Sequence, residues 1–244
     1  MSGADNMALD VALMARARRT GDTVLRLYAW TRPTLSFGRN QRAAGSYEPR
    51  MLAERGIDVV RRPTGGRALL HGPEITYSVT APVAGTLARA YGRINALLIN
   101  ALESLGVPAN LVTAARRGAM PDATPCFAEP AVGEIVAGGR KLCGSAQWRD
   151  DGAMLQHGSI LVDDKQSLVG ELAGLTGSRG TPPATLRGLL GRAPSAAEFG
   201  AHLLAAVRAE EDPAAEWCTL ESEVLRESAR LASRFHDPSW TWRR

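Results

Sequence analysis

With 244 residues, 45% of them hydrophobic, the chain is long enough to bury a core without staples, and its three cysteines, Cys126, Cys143 and Cys218, are too few and too irregularly spaced for a disulfide framework. No C-x-x-C pair suggests zinc, no apolar run approaches the roughly 18 residues of a membrane span, and the N-terminus lacks the order of a secretory signal, so the expectation is a cytoplasmic protein with no metal and no membrane association. A formal charge of +4 admits an acidic partner, but the arginines are scattered and no aromatic-basic interleaving marks a nucleic-acid module, so no nucleic acid is expected.

In chain order, Asp5 or Asn6 is expected to cap a helix through MALDVALMARARR. VLRLYAW and TLSFG read as strands, PRMLAERG as a short helix closed by Gly56, and IDVVRR as a strand. RPTGGRALLHGPEITYSV reads as strand, loop and strand around a Pro63-Thr64-Gly65-Gly66 turn. Residues 86–105 form the clearest helix, with Leu87, Tyr91, Ile94, Leu98, Ala101, Leu102 and Leu105 at helical spacing. The stretch ARRGAMPDATPCFAEP has little periodicity and reads as a loop. GEIVAGGRKLCGSAQWRDDGAMLQHGSILVDD follows as three strands joined by Gly138-Gly139 and Asp150-Asp151-Gly152 hairpins. Helices near 165–174, 195–210 and 220–234 complete the chain, with a Gly/Pro-rich connection through GLTGSRGTPPA. No linker divides the chain, and hairpin-joined strands with helices around them predict an α+β fold with a mixed, largely antiparallel sheet.

Three groups of residues are candidates for chemistry. Of the 29 Lys and Arg residues only Lys141 and Lys165 are lysines, and unlike arginine a lysine is able to give up its proton and act as base or acid. The alternative is that Lys141 is a solvated strand residue left by codon bias. A thiol is the natural partner for such a base: Cys143 would face the same side as Lys141 in a regular strand, and Cys126 sits in the irregular stretch before it. Cys218 reads as a buried small hydrophobe. The second group is RRPTGGRALLH, where adjacent glycines let backbone amides approach a ligand among Arg61, Arg62, Arg67 and His71, although a plain turn fits as well. The third is Gln156-His157-Gly158, a polar interruption of an apolar strand that indicates a site or a bulge.

The order RRPTGGRALLHGPEITYSV, PCFAEP and GGRKLCGSAQWRDDGAMLQHGSILVDD resembles the lipoate-protein ligase and octanoyltransferase family of the biotin/lipoyl protein ligase superfamily. The resemblance runs from NMALD through LRLYAWTRPTLSFGRNQ to DPSWTWR and implies one catalytic domain over 1–244, biotin/lipoyl ligase-like and class II aminoacyl-tRNA synthetase-like, with no C-terminal accessory domain. It implies an acyl tunnel lined by Arg62, Thr64, Gly65, Gly66, Arg67, His71 and Tyr77 on one side and by Gly144, Ser145, Ala146, Gln147, His157 and Gly158 on the other, with Lys141 as the central catalytic or carboxylate-binding residue. Cys126 in TPCFAEP matches the cysteine that marks the cysteine-dependent, ligase-A-like octanoyltransferase branch. Cys143 matches a position where the family has a small residue, which implies packing. Arg67 stands where the family often has a third glycine.

What the resemblance implies is transfer of an octanoyl group from octanoyl-acyl carrier protein to a lysine of a lipoyl-domain protein, such as the glycine-cleavage H protein or a 2-oxoacid dehydrogenase acyltransferase subunit, with no cofactor. Cys126 would carry the acyl group as a thioester, and Lys141, neutral for part of the cycle, would move the protons. An amidotransferase between lipoyl proteins, an ATP-dependent lipoate ligase and a non-catalytic acyl or lipoyl-domain binding protein are the alternatives.

Overall fold

A computed structural model describes residues 1–113, Phe127, 130–175 and 181–243. Helix α1 (Gly3–Thr20) opens the chain, and its N-cap is Ser2, whose hydroxyl oxygen accepts from the Asp5 amide at 3.1 Å. The expected Asp5 or Asn6 cap is therefore corrected. Gly3 and Ala4 have no large apolar side chain to signal the first turn, yet they pack closely: Ala4 is buried, and a Cβ on Gly3 would stand 3.0 Å from Thr34 and 3.1 Å from Trp30. Asn6 is buried instead, accepting from Arg26 at 2.5 Å.

Among the described residues the strands form two sheets. The larger has six antiparallel strands in the order β1 (Val24–Tyr28), β5 (Glu74–Pro82), β9 (Ala153–Leu161), β8 (Arg140–Asp150), β7 (Ile135–Ala137) and β6 (Ala109–Leu111). The smaller places β2 (Thr34–Phe37) between β3 (Asp58–Arg61), which it pairs in parallel, and β4 (Leu69–His71), which it pairs antiparallel. The α+β expectation holds, with the strands divided between two sheets.

Alternation along β5 separates two environments. Ile75, Tyr77 and Val79 join Met154 and Ile160 of β9 in the main core, against Leu98 and Leu102 of α3 (Leu87–Ser104) and Phe199 and Leu203 of α6 (Ala196–Glu210). Thr76, Ser78 and Thr80 face the other way and are also buried, on the side where α1 crosses the sheet and α7 (Ser222–His236) packs on α1. Both hairpin turns use left-handed residues as anticipated: Gly138 and Gly139 at φ 57° and 72°, and Asp151 and Gly152 at φ 44° and 79°.

The register changes once within β8. Ala137 opposes Arg140 and Val136 opposes Lys141, but Ile135 opposes Cys143, so β8 carries an extra residue at Leu142. Leu142 and Cys143 both enter the main core, while Lys141 turns to the opposite face beside Gly144. The expectation that Lys141 and Cys143 share a face is thus overturned by a bulge that a period-two reading does not contain. The Gln156-His157-Gly158 triplet, by contrast, sits in unbroken register in β9.

The short helices α2 (Pro49–Glu54) and α4 (Ser167–Leu172) fall within the expected segments, as do α3 and α6, and α7 runs two residues past the expected end at 234. No sequence signal announces β6, α5 (Leu186–Leu190) or α8 (Pro238–Thr241), each of five residues or fewer. Cys218 is exposed rather than buried, because EWCTLE lies between α6 and α7 and packs in neither helix. Most of ARRGAMPDATPCFAEP, Cys126 included, lies outside the described residues.

Candidate active site

A cavity of about 210 Å³ lies where the α1 face of the large sheet meets the small sheet. Ten of the expected site residues line it: Arg62, Gly66, Arg67, His71, Lys141, Gly144, Ser145, Ala146, His157 and Gly158. Thr64, Gly65, Tyr77 and Gln147 are not in its wall, and Cys126 lies outside the described residues.

The Arg62–Arg67 turn is held from three sides. Gly38 at the end of β2 abuts it so closely that a Cβ there would stand 1.9 Å from the Gly66 carbonyl oxygen. The Arg39 amide donates to the Thr64 carbonyl at 2.7 Å, and Arg62 donates to the Gly65 and Arg67 carbonyls at 3.1 and 3.0 Å. Gly66, at φ 99°, needs glycine for its backbone conformation, whereas a Cβ on Gly65 would meet nothing within 4 Å.

Two buried polar networks join this turn to the sheet. In the first, Asp10 of α1 accepts from Arg26 at 2.9 Å and Ser78 at 2.8 Å, and its other oxygen lies 3.1 Å from His157 Nδ1. Burial by itself would raise the Asp10 carboxyl, but the His157 hydrogen bond and the Arg26 charge outweigh it and hold the group below its ordinary value. An ionised Asp10 only accepts, so His157 carries a proton on Nδ1, and Nε2 lies 2.6 Å from the Thr64 hydroxyl. Thr64, expected as a tunnel residue, therefore ties the turn to β9.

In the second network His71 Nδ1 lies 2.6 Å from Glu74 and Nε2 lies 2.7 Å from Ser36, while the ring stacks on Trp30 at 3.7 Å. Arg62 donates to Ser36 at 2.5 Å, which leaves the Ser36 hydroxyl proton for His71 or for the Leu69 carbonyl at 3.5 Å. Burial depresses the His71 pKa, aided by the Arg62 charge and opposed by Glu74, so the imidazole is neutral at physiological pH and presents a flat apolar face to the cavity.

Lys141 is 2% exposed, which removes the solvated-strand alternative. Its ammonium pairs with Glu134 at 2.6 Å and stands 4.9 Å from the centre of the Phe127 ring. Gly144 leaves it room, since a Cβ there would meet the Lys141 Cε at 3.2 Å and the Phe127 ring at 3.3 Å. Gly158 is tighter: a Cβ would stand 2.6 Å from the Gly144 carbonyl oxygen and 2.7 Å from Tyr77. Tyr77 lies behind that wall and supports it, with its hydroxyl 2.6 Å from Ser145 and accepting from Gln156 at 2.8 Å. Gln147 donates to Gln156 at 2.9 Å, one step further from the cavity. Burial pushes the Cys143 thiol up to about 12, despite the Ser145 hydrogen bond and the Lys141 charge, which makes it a poor nucleophile.

Glu134, Met7, Tyr28, Trp30, Leu69, Thr76 and Ser159 also line the cavity and were not expected there. Ser159 had a signal in the sequence, since it follows His157 at strand spacing and shares its face. Glu134 had none, because its relation to Lys141 depends on the β7–β8 hairpin and its bulge. Among the described residues no group of three His, Cys, Asp or Glu side chains is placed to hold a metal, and no helix is long and apolar enough to cross a membrane.

A lipoate-protein ligase A bound with ATP superposes with a TM-score of 0.80 at 20% identity, covering 98% of this chain and 93% of that one, a likeness of fold. Octanoyltransferase LipM of Kyrpidia tusciae is 44% identical over 172 residues, 66% of this chain and 63% of that protein. Octanoyltransferase LipM of Carboxydothermus hydrogenoformans is 40% identical over 167 residues, 66% of this chain and 61% of that protein. The match thus spans less than two thirds of either relative's length. The family model for the lipoyl protein ligase A/B catalytic domain matches residues 2–208, and the chain belongs to that family.

Proposed function

We propose that this chain is an octanoyltransferase that moves an octanoyl group from octanoyl-acyl carrier protein to a lysine of a lipoyl-domain protein, by way of a thioester on Cys126. The observation that carries the reading is a buried lysine in the wall of a cavity built from the Arg62–Arg67 turn and the His157-Gly158 pair, in a chain related to proteins named octanoyltransferase. Phe127, which follows Cys126 in sequence, lies with its ring against that lysine.

The first half exchanges one thioester for another. The Cys126 sulfur bonds to the acyl carbon, the bond to the carrier sulfur breaks, and the Cys126 proton passes to the departing carrier thiol through Lys141. In the second half the acceptor amine bonds to the acyl carbon, Cys126 leaves as a thiol, and an amide forms. Neither half consumes ATP.

The test supplies octanoyl-acyl carrier protein and an apo lipoyl domain without ATP, and in parallel octanoate with ATP. Octanoylation of the domain in the first mixture and none in the second is expected. A requirement for ATP with free acid would show a ligase. Transfer only from an octanoylated lipoyl protein would show an amidotransferase.

A further inference from the structure

We propose that Glu134, the ion-pair partner of Lys141, is the acceptor of the proton that the incoming amine sheds in the second half-reaction. The inference rests on the transferase reading and extends it to a residue that this reading does not use.

The two halves differ in their proton balance. Thioester exchange is neutral: one thiol proton is lost by Cys126 and one is gained by the carrier sulfur. Aminolysis is not, because a free lysine side chain with a pKa of about 10.4 arrives as an ammonium at neutral pH. For R–NH3⁺ to become an amide while Cys126 regains its proton, one proton must leave the site. A relay that only shuttles the thiol proton returns to its starting state after each exchange, so the extra proton needs a second acceptor.

Glu134 is placed for this. It lines the same cavity, its side chain is 12% exposed, and Oε1 lies 2.6 Å from the Lys141 Nζ. Its other oxygen accepts from the Ala131 amide at 2.8 Å, so the carboxylate has one orientation. The backbone beneath it is fixed as well. The Glu134 amide donates to Ala131 at 3.0 Å, its carbonyl accepts from Val112 at 3.0 Å, and Asn95 of α3 donates to the Gly133 carbonyl at 2.8 Å. Each carboxylate oxygen has two lone pairs and so has the capacity to accept a second hydrogen bond, from an ammonium entering the cavity, without displacing Lys141. A fixed, largely dry carboxylate in the wall of the cavity and in contact with Lys141 is a competent general base, and its proton leaves to solvent through the cavity mouth.

The experiment separates the halves in single turnover. Acyl-enzyme formation is followed from octanoyl-acyl carrier protein, and the isolated acyl-enzyme is then mixed with apo lipoyl domain. Glu134→Gln is expected to slow the second step by about 10²-fold or more while changing the first by less than about tenfold. Glu134→Asp keeps the charge but withdraws it by one methylene; it is expected to slow the second step more than the first and to recover part of what glutamine loses. Should the glutamine variant not fold, the aspartate variant alone decides, by whether its loss falls on the second step. Equal losses in both steps would overturn the proposal and leave Glu134 as a holder of Lys141, and an unchanged second step would overturn it outright. Wild type that forms no acyl-enzyme would overturn the transferase reading and this inference with it, an outcome visible before any variant is compared.

Discussion

A Lys141→Met protein is expected to transfer octanoyl groups about 10²- to 10⁴-fold more slowly than wild type, the range associated with loss of a positioned acid or base. The substitution keeps an unbranched apolar stem but removes the ammonium, leaving the Glu134 carboxylate facing an apolar wall. Breaking a buried ion pair in this way costs about 3–5 kcal/mol, so the variant is also expected to melt earlier. The two losses are separable. In Lys141→Met/Glu134→Met both charges are gone, and replacing a whole buried pair by apolar groups is often near neutral. Most of the stability should return in the double variant, and none of the activity. Differential scanning calorimetry with the transfer assay checks this; activity returning together with stability would mean that Lys141 acts only through the fold.

The second large effect is expected at a residue that touches no substrate. Gly38→Ala would put a methyl group 1.9 Å from the Gly66 carbonyl oxygen and 2.8 Å from the Gly66 carbonyl carbon. Both are backbone atoms, so no rotamer change relieves the overlap. Either β2 or the Arg62–Arg67 turn must move, against the Arg39-to-Thr64 hydrogen bond at 2.7 Å and the Arg62-to-Phe37 hydrogen bond at 2.9 Å. Overpacking of this kind costs about 3 kcal/mol or more, roughly 6–12 °C in Tm for a chain of this size. Gly65→Ala is the control, because its added Cβ meets nothing within 4 Å and its stability should stay within about 0.5 kcal/mol of wild type. Equal Tm values for Gly38→Ala and wild type would contradict the close approach of β2 to the turn.

The long elements were legible in the sequence because their signals are local. The Leu and Ile spacing of α3 and the Gly138-Gly139 and Asp151-Gly152 turns each depend on neighbours within a few residues. Start and stop signals were less secure: Ser2 caps α1 through its own side chain, while Asp5 and Asn6 compete for the same role on composition alone. Where the outcome depends on pairing across the sheet, sequence spacing misleads. Lys141 and Cys143 are two residues apart, and an unbroken strand puts them together. One extra residue at Leu142 separates them, burying the thiol with the core and turning the lysine into the cavity.

The site was legible as a set of motifs but not as a set of roles. Arg62, Thr64 and Tyr77 stand among the expected ligand-binding residues, yet their polar atoms are directed to the turn, to His157 and to Ser145. They hold the wall in place. Glu134 was invisible because an acidic residue seven positions before a lysine has no fixed relation to it until a hairpin forms. Trp30 and Asp10 were missed for the same reason, since each meets its histidine only when distant strands and α1 assemble.

The most direct test is intact-mass analysis after mixing with octanoyl-acyl carrier protein, using wild type, Cys126→Ser and Cys143→Ser. One octanoyl adduct, released by hydroxylamine as a thioester is, should appear on wild type and on Cys143→Ser and be absent from Cys126→Ser. An adduct that persists without Cys126 and disappears without Cys143 would contradict both the assignment of the nucleophile and the burial that renders Cys143 inert.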